Sequence, residues 1–268
     1  MTIDEYLKTT TAALEQAGVE SARLDALILL EDALNDDRAL LLAHPEREIP
    51  DPIFAALYKK RVQREKHVPL AYIRGRAPFY GREFLVTEHV LVPRPESEAL
   101  MDLMKKYAPA GPVTVADVGT GSGILGITAG LELPQATVFL YDIDDQALAV
   151  ARKNARKYSV DATLENHDLL EDVARHHDIV LANLPYVPEH IHINRAAAHE
   201  PKHAIFSGPD GLDHFKKFWA ELEQRADKPA LVVTESLPSQ HHVNAQLARA
   251  AGFFLAGRQD FAQAFQPL

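Results

Sequence analysis

The amino-acid sequence predicts an α/β fold in which a larger, doubly wound domain with a mainly parallel sheet follows a small N-terminal helical domain. Three observations carry that prediction. From Val113 onward, short β-branched and aliphatic runs alternate with helical patterns in the way that βαβ units require. Gly119, Gly121 and Gly123 fall between the first run and the first helix, where a chain leaving a strand must turn tightly. Before about Gly75, apolar residues recur three and four apart and no strand pattern intervenes. The larger domain is therefore Rossmann-like.

Each element follows in order. Leu24, Leu27, Leu30 and Leu34, then Ile53, Leu57, Val62 and Leu70, predict helices across residues 1–75. Ser21 is the expected N-cap of one helix, and Asp51-Pro52 supplies an acidic cap and a first-turn proline to another. The charges of Lys59, Lys60, Arg61, Arg64, Glu65 and Lys66 read as a solvated helix face. Residues 76–95 read as a β-hairpin linker, with strand text at 79–86 and 90–92. Pro93-Arg94-Pro95 then fixes an extended path into a helix over about 96–107. In the domain spanning 96–268, strands are expected at 113–118, 137–141, 162–165, up to 183, and 230–235. Helices are expected at about 122–131, 144–158, 211–225 and 239–251, with 253–256 and 261–265 as a closing antiparallel pair.

Composition narrows the function classes. The chain has 268 residues, 47% of them hydrophobic, enough to bury a sizeable core. A net charge of -10 speaks against a broad nucleic-acid footprint. With no cysteine, disulfides, thiolate nucleophiles and Cys-ligated zinc are removed, which fits a reducing compartment. The start of the chain lacks the pattern of a signal peptide, and no apolar run reaches the roughly 18 residues of a membrane span. A monomeric cytoplasmic protein is expected. His190, His192, His241 and His242 lack a third ligand on a rigid element, so no metal site is expected.

Asp117-Val118-Gly119-Thr120-Gly121-Ser122-Gly123 marks a cofactor loop, because glycines let a ligand approach the backbone. Gly121 to Gly126 is also a literal G-x-G-x-x-G, so the loop alone does not separate a nicotinamide enzyme from a methyltransferase. Asp142, at the end of the next strand, is placed to accept hydrogen bonds from both ribose hydroxyls of an adenosine, while Asp144 reads as a helix cap. After the third strand, Asp168 suits an exocyclic amine and Leu169 the face of an adenine ring.

The strand run 179–182 stops abruptly at Asn183-Leu184-Pro185-Tyr186. Ligands of open α/β sheets sit outside the carboxyl ends of the strands, so this cluster is placed to meet a substrate. The nitrogen of an amide or exocyclic amine is a poor nucleophile because its lone pair is delocalised. The Asn183 side-chain oxygen and the Leu184 carbonyl suit its two N–H groups, turning the lone pair toward an activated sulfonium methyl, while Tyr186 stacks on the planar group.

With these residues the chain resembles the release-factor glutamine methyltransferases, the HemK/PrmC-like family, over nearly its whole length. The resemblance is carried by Pro69 to Ile73 with Phe79-Tyr80-Gly81, by His89 to Glu98, by Asp117 to Gly123, and by Glu200-Pro201 with Gly208 to Gly211. It implies that Gly119, Thr120, Gly121, Ser122, Gly123, Asp142, Asp168, Leu169 and Asn183 contact S-adenosyl-L-methionine and that Asn183, Leu184, Pro185 and Tyr186 hold a glutamine side chain. The implied partner is a peptide chain release factor, methylated in its Gly-Gly-Gln motif, with the helical domain helping to dock it. The chain departs from the family pattern at Leu184, where a proline is usual, between Glu235 and Gln240, where a glycine is missing, and in its tail. The Asn-x-Pro-Tyr cluster also suits an exocyclic-amine methyltransferase acting on RNA or DNA. An oxidoreductase and a cofactor-binding module without activity are the remaining alternatives.

Overall fold

A computed structural model describes residues 1–268, and the chain divides into two compact units, 1–75 with 194–199 and 76–193 with 200–268. The first is helical: α1 (Ile3–Gln16), α2 (Ala22–Leu34), α3 (Arg38–Ala43), α4 (Asp51–Glu65) and α5 (Leu70–Arg74). Thr2 caps α1 in a reciprocal box with Glu5. The α2 helix is apolar nearly all round, so its periodicity does not specify a single inward face. Packing buries Leu27, Leu29 and Leu30, while Leu24 is exposed. Ser21 precedes α2 without making a side-chain cap bond, and Pro50 rather than Asp51 occupies the cap position of α4. Arg64 leaves the solvated face expected for it: its Nε donates to Asp25 Oδ2 at 2.7 Å in the interior.

The second unit opens with a hairpin of β1 (Arg76–Phe79) and β2 (Arg82–Leu85), turning at Tyr80 and Gly81, both at positive φ. Residues 90–92 form no strand. Phe79 and Phe84 plant the hairpin in the core beside Leu100 and Met104 of α6 (Glu98–Tyr107). A short 3-10 turn, Pro95–Ser97, leads into α6. There follow β3 (Val113–Val118), α7 (Ile124–Glu132), β4 (Ala136–Asp142), α8 (Asp145–Lys157), β5 (Ala162–Asn166), β6 (Ile179–Ala182), α9 (Asp213–Gln224), β7 (Leu231–Glu235), α10 (His241–Ala250), β8 (Phe253–Gln259) and β9 (Ala262–Pro267).

The seven strands lie in the order β5-β4-β3-β6-β7-β9-β8, and all run in one direction except β9, which is antiparallel to both its neighbours, β7 and β8. Alternate residues point to opposite faces, so each central strand feeds two cores. Val115, Ile179, Leu181 and Val233 face one core with α6, α7 and α8. Ala116, Val118, Val180 and Val232 face the other with Phe215, Phe218, Trp219 and Leu222 of α9 and Ala248 of α10. This makes three layers. The Trp219 indole is satisfied by Asn244 Oδ1 at 2.7 Å, so its large ring can be buried without an orphaned donor.

The buried pair in the helical unit gives a direct test. Asp25→Ala leaves the Arg64 guanidinium without its carboxylate in the interior and should cost about 3 kcal/mol in urea unfolding. Replacing both partners together, Asp25→Leu with Arg64→Met, should cost much less, because no unpaired charge remains.

Candidate cofactor and substrate site

Parallel register assembles the site. Val118 pairs with Tyr141 on one side and Ala182 on the other, so Gly119, Asp142 and Asn183 emerge side by side at the carboxyl edge. The β3 strand is where the order switches, with β4 to one side and β6 to the other, and the crevice of a doubly wound sheet opens at such a point.

One buried carboxylate shapes the glycine loop. Asp117 Oδ2 accepts the Thr120 hydroxyl at 2.6 Å and the Gly126 N–H at 2.9 Å, while Oδ1 is buried without a hydrogen-bond partner. Burial pushes this carboxyl up to about 6, against the two donors that hold it down. Gly119 and Gly121 take positive φ, of 68° and 54°. Gly126 is required by space: a Cβ there would overlap the Leu140 side chain and come within 2.9 Å of Asp117 Cβ. Asp142 ties the loop to β4, its Oδ2 accepting from Gly121 N at 2.8 Å and its Oδ1 from Asp144 N at 3.0 Å. Burial raises the Asp142 carboxyl, and those two N–H groups oppose the shift. Asp144 caps α8 through Gln146 N. Behind Asp142, the Tyr141 hydroxyl meets His177 Nε2 at 3.0 Å, and burial lowers His177 to about 4.

A cavity of about 280 Å³ lies over this edge. Of the residues the sequence singles out, Gly119, Thr120, Gly121, Ser122, Asp142, Asp168, Leu169, Asn183, Leu184 and Pro185 line it. Two do not. Gly123 is the N-cap of α7, where a Cβ would press on Ile127 and Ala151. Tyr186 faces an adjoining cavity with Arg94, Glu96 and Phe261. Asp168 is also held from outside by Lys217, at 2.5 Å.

Several lining or supporting residues are given no site role by the sequence, although His89, Ser97, Glu200 and Gly211 lie in the stretches that carry the resemblance. His89, His203 and His214 line the main cavity. Glu200 braces the proline-rich rim, its Oε2 accepting from Val92 N at 2.9 Å and its Oε1 from Arg94 Nη2 at 2.6 Å. Asn183 Nδ2 donates to Ser97 Oγ at 3.1 Å, and the Tyr186 hydroxyl donates to Glu235 Oε1 at 2.9 Å. Gln240 Nε2 holds the Tyr186 carbonyl at 2.9 Å, and Gly211 leaves room there, since a Cβ would collide with that carbonyl. Only the glycine after the strand, the acid at the next strand end and the amide at β6 follow rules readable within a few residues.

The fold, the glycine cradle and the acid beside it define a Rossmann-like domain, and its family match makes it a methyltransferase. Residues 95–204 match the family described as methyltransferase small domain, and residues 5–75 match the PrmC N-terminal domain. The solved methyltransferase from Pyrococcus furiosus has this fold at a TM-score of 0.53 and 15% identity, covering 81% of this chain and 98% of that one. The release factor glutamine methyltransferase of Bacillus subtilis is 36% identical over 87% of this chain and 84% of its own length. That of Deinococcus radiodurans is 31% identical over 98% of each chain. The chain belongs to the release factor glutamine methyltransferase family.

Asp117 and His177 should titrate in opposition. Between pH 3.8 and about 6 the folded protein keeps a proton on Asp117 that the unfolded chain has lost, so this group's stabilising contribution falls as pH rises. Between about 4 and 6.5 the unfolded chain holds the proton on His177, so that group's contribution rises with pH and is lost on acidification. Relative to wild type, Asp117→Asn should therefore gain stability across this window and His177→Gln should lose it. Each change should be on the order of 2 kcal/mol in urea unfolding measured from pH 4.5 to 7.

Proposed function

We propose that the protein methylates the side-chain amide nitrogen of the glutamine in the Gly-Gly-Gln motif of a peptide chain release factor, using S-adenosyl-L-methionine. The observation that carries this reading is the end of β6. Asn183 Oδ1 and the Leu184 carbonyl accept no hydrogen bond from the protein, although both belong to residues that line the cavity. Two free acceptors suit the two hydrogens of a primary amide, and they hold it so that its lone pair points away from them.

The residues fit the cofactor. Gly119 and Gly121 bare the backbone, Asp142 offers the remaining lone pairs of its carboxylate to a ribose, and Leu169 presents an apolar surface for the base. When bound, S-adenosyl-L-methionine supplies an activated methyl on a sulfonium centre. The chain's part is to hold the amide, exclude water and direct the nitrogen. Pro185 biases the backbone of Leu184 toward the extended region, so a carbonyl acceptor survives there without a second proline. Tyr186 faces the adjoining cavity and is held there by Glu235 and Gln240. A nucleobase amine meets the same two acceptors, but a net charge of -10 opposes a polyanion.

Labelled methyl should pass to a recombinant release factor and not to the same factor with its Gly-Gly-Gln glutamine replaced. Label appearing instead on an RNA offered in parallel would refute the reading. Asn183→Ala should lower kcat by about a hundred-fold while the fold is retained, and Asp142→Ala should mainly weaken cofactor binding, by about ten-fold or more, as calorimetry would measure.

A further inference from the structure

Glu235 stands out among the buried groups, because neither the cofactor cradle nor the two amide acceptors use it. It ends β7, whose register with β6 pairs Ala182 with Thr234 and so sets Glu235 beside Asn183. Its side chain is 1% exposed, and no cation pairs with it. The Tyr186 hydroxyl reaches Oε1, while Oε2 is buried without a partner at hydrogen-bonding distance and angle. Burial raises this carboxyl, and Ser97, Tyr186 and Asn183, which face it, oppose that shift by donating to it.

That has a consequence for the neighbouring amide. A hydroxyl hydrogen rotates to the best acceptor available, and for Ser97 that is the carboxylate. Ser97 Oγ is then left to accept, as it does from Asn183 Nδ2 at 3.1 Å. An amide that presents its nitrogen to Ser97 must present its oxygen on the other side.

We propose that Glu235 is a positioning residue for methyl transfer, which acts through Ser97 to keep the Asn183 amide turned with Oδ1 toward the substrate. This rests on the substrate reading above. Without the carboxylate, Ser97 is free to donate to Asn183 Oδ1. The amide can then turn over and present a donor to the N–H groups of the incoming glutamine, where an acceptor is required.

The variant E235Q tests this with little change of volume. Its amide oxygen still accepts from Tyr186, while its NH2 donates toward Ser97 and reverses the sense of that bond. The expected result is a fall in kcat of about ten-fold, with cofactor affinity and thermal midpoint close to wild type. In an S97A background, which removes the relay, the same change should lower kcat by less than it does in the wild type, leaving only the direct contact of Asn183 with residue 235. An unchanged kcat in E235Q, or a full additional loss in the S97A background, would overturn the inference. Wild-type protein assayed beside the variants separates the two levels. No label on its Gly-Gly-Gln glutamine overturns the substrate reading and this inference with it, whereas label there with an unaffected E235Q overturns the inference alone.

Discussion

The Asp117 carboxylate gathers the cofactor loop around itself. One oxygen takes the Thr120 hydroxyl and the Gly126 N–H together, so the chain leaving β3 must curl back onto the strand before α7 can begin. Gly126 makes room for that curl, because the helix passes too close to Asp117 and Leu140 for any side chain. Gly121 is then within reach of Asp142, and the loop is joined to β4 as well as to β3. A charged group held this deep is unfavourable by itself. It persists because the alternative would leave two buried donors and the path of the loop unsatisfied.

Around that loop the sheet acts as a ruler. Parallel pairing brings Gly119, Asp142 and Asn183 to one edge, and the same pairing brings Glu235 beside Asn183. The residues that support the site come from distant parts of the chain: Ser97 from the turn before α6, Glu200 from the loop after β6, and Gln240 from the turn before α10. Each fixes a backbone or amide group rather than filling space. The rim, the glycine loop and the segment after β6 thereby have single positions relative to one another, which is the preorganisation that amide recognition needs.

Much of this could be read from the order of residues alone. The alternation from Val113 onward locates the strands of the main sheet, because buried parallel strands demand continuous apolar runs and their crossovers demand helices. Asn183 and Asp142 are readable for a related reason: a polar residue directly after such a run lies at the edge of the crevice. Elsewhere local pattern fails. Val90 to Val92 have strand composition but form no strand, and the rim they belong to is braced by Glu200, over a hundred positions further on. Arg64 sits in a charged stretch, and only the fold brings Asp25 to it. Leu24 is indistinguishable from Leu27 until α2 packs. Tyr186 follows Pro185 directly, yet the two residues line different cavities.

That last separation divides the work of neighbouring residues. Asn183, Leu184 and Pro185 look into one cavity and Tyr186 into the next, with Arg94 at the border of both. A change at Tyr186 therefore alters the wall of a different cavity from a change at Asn183, although only two residues stand between them in the chain.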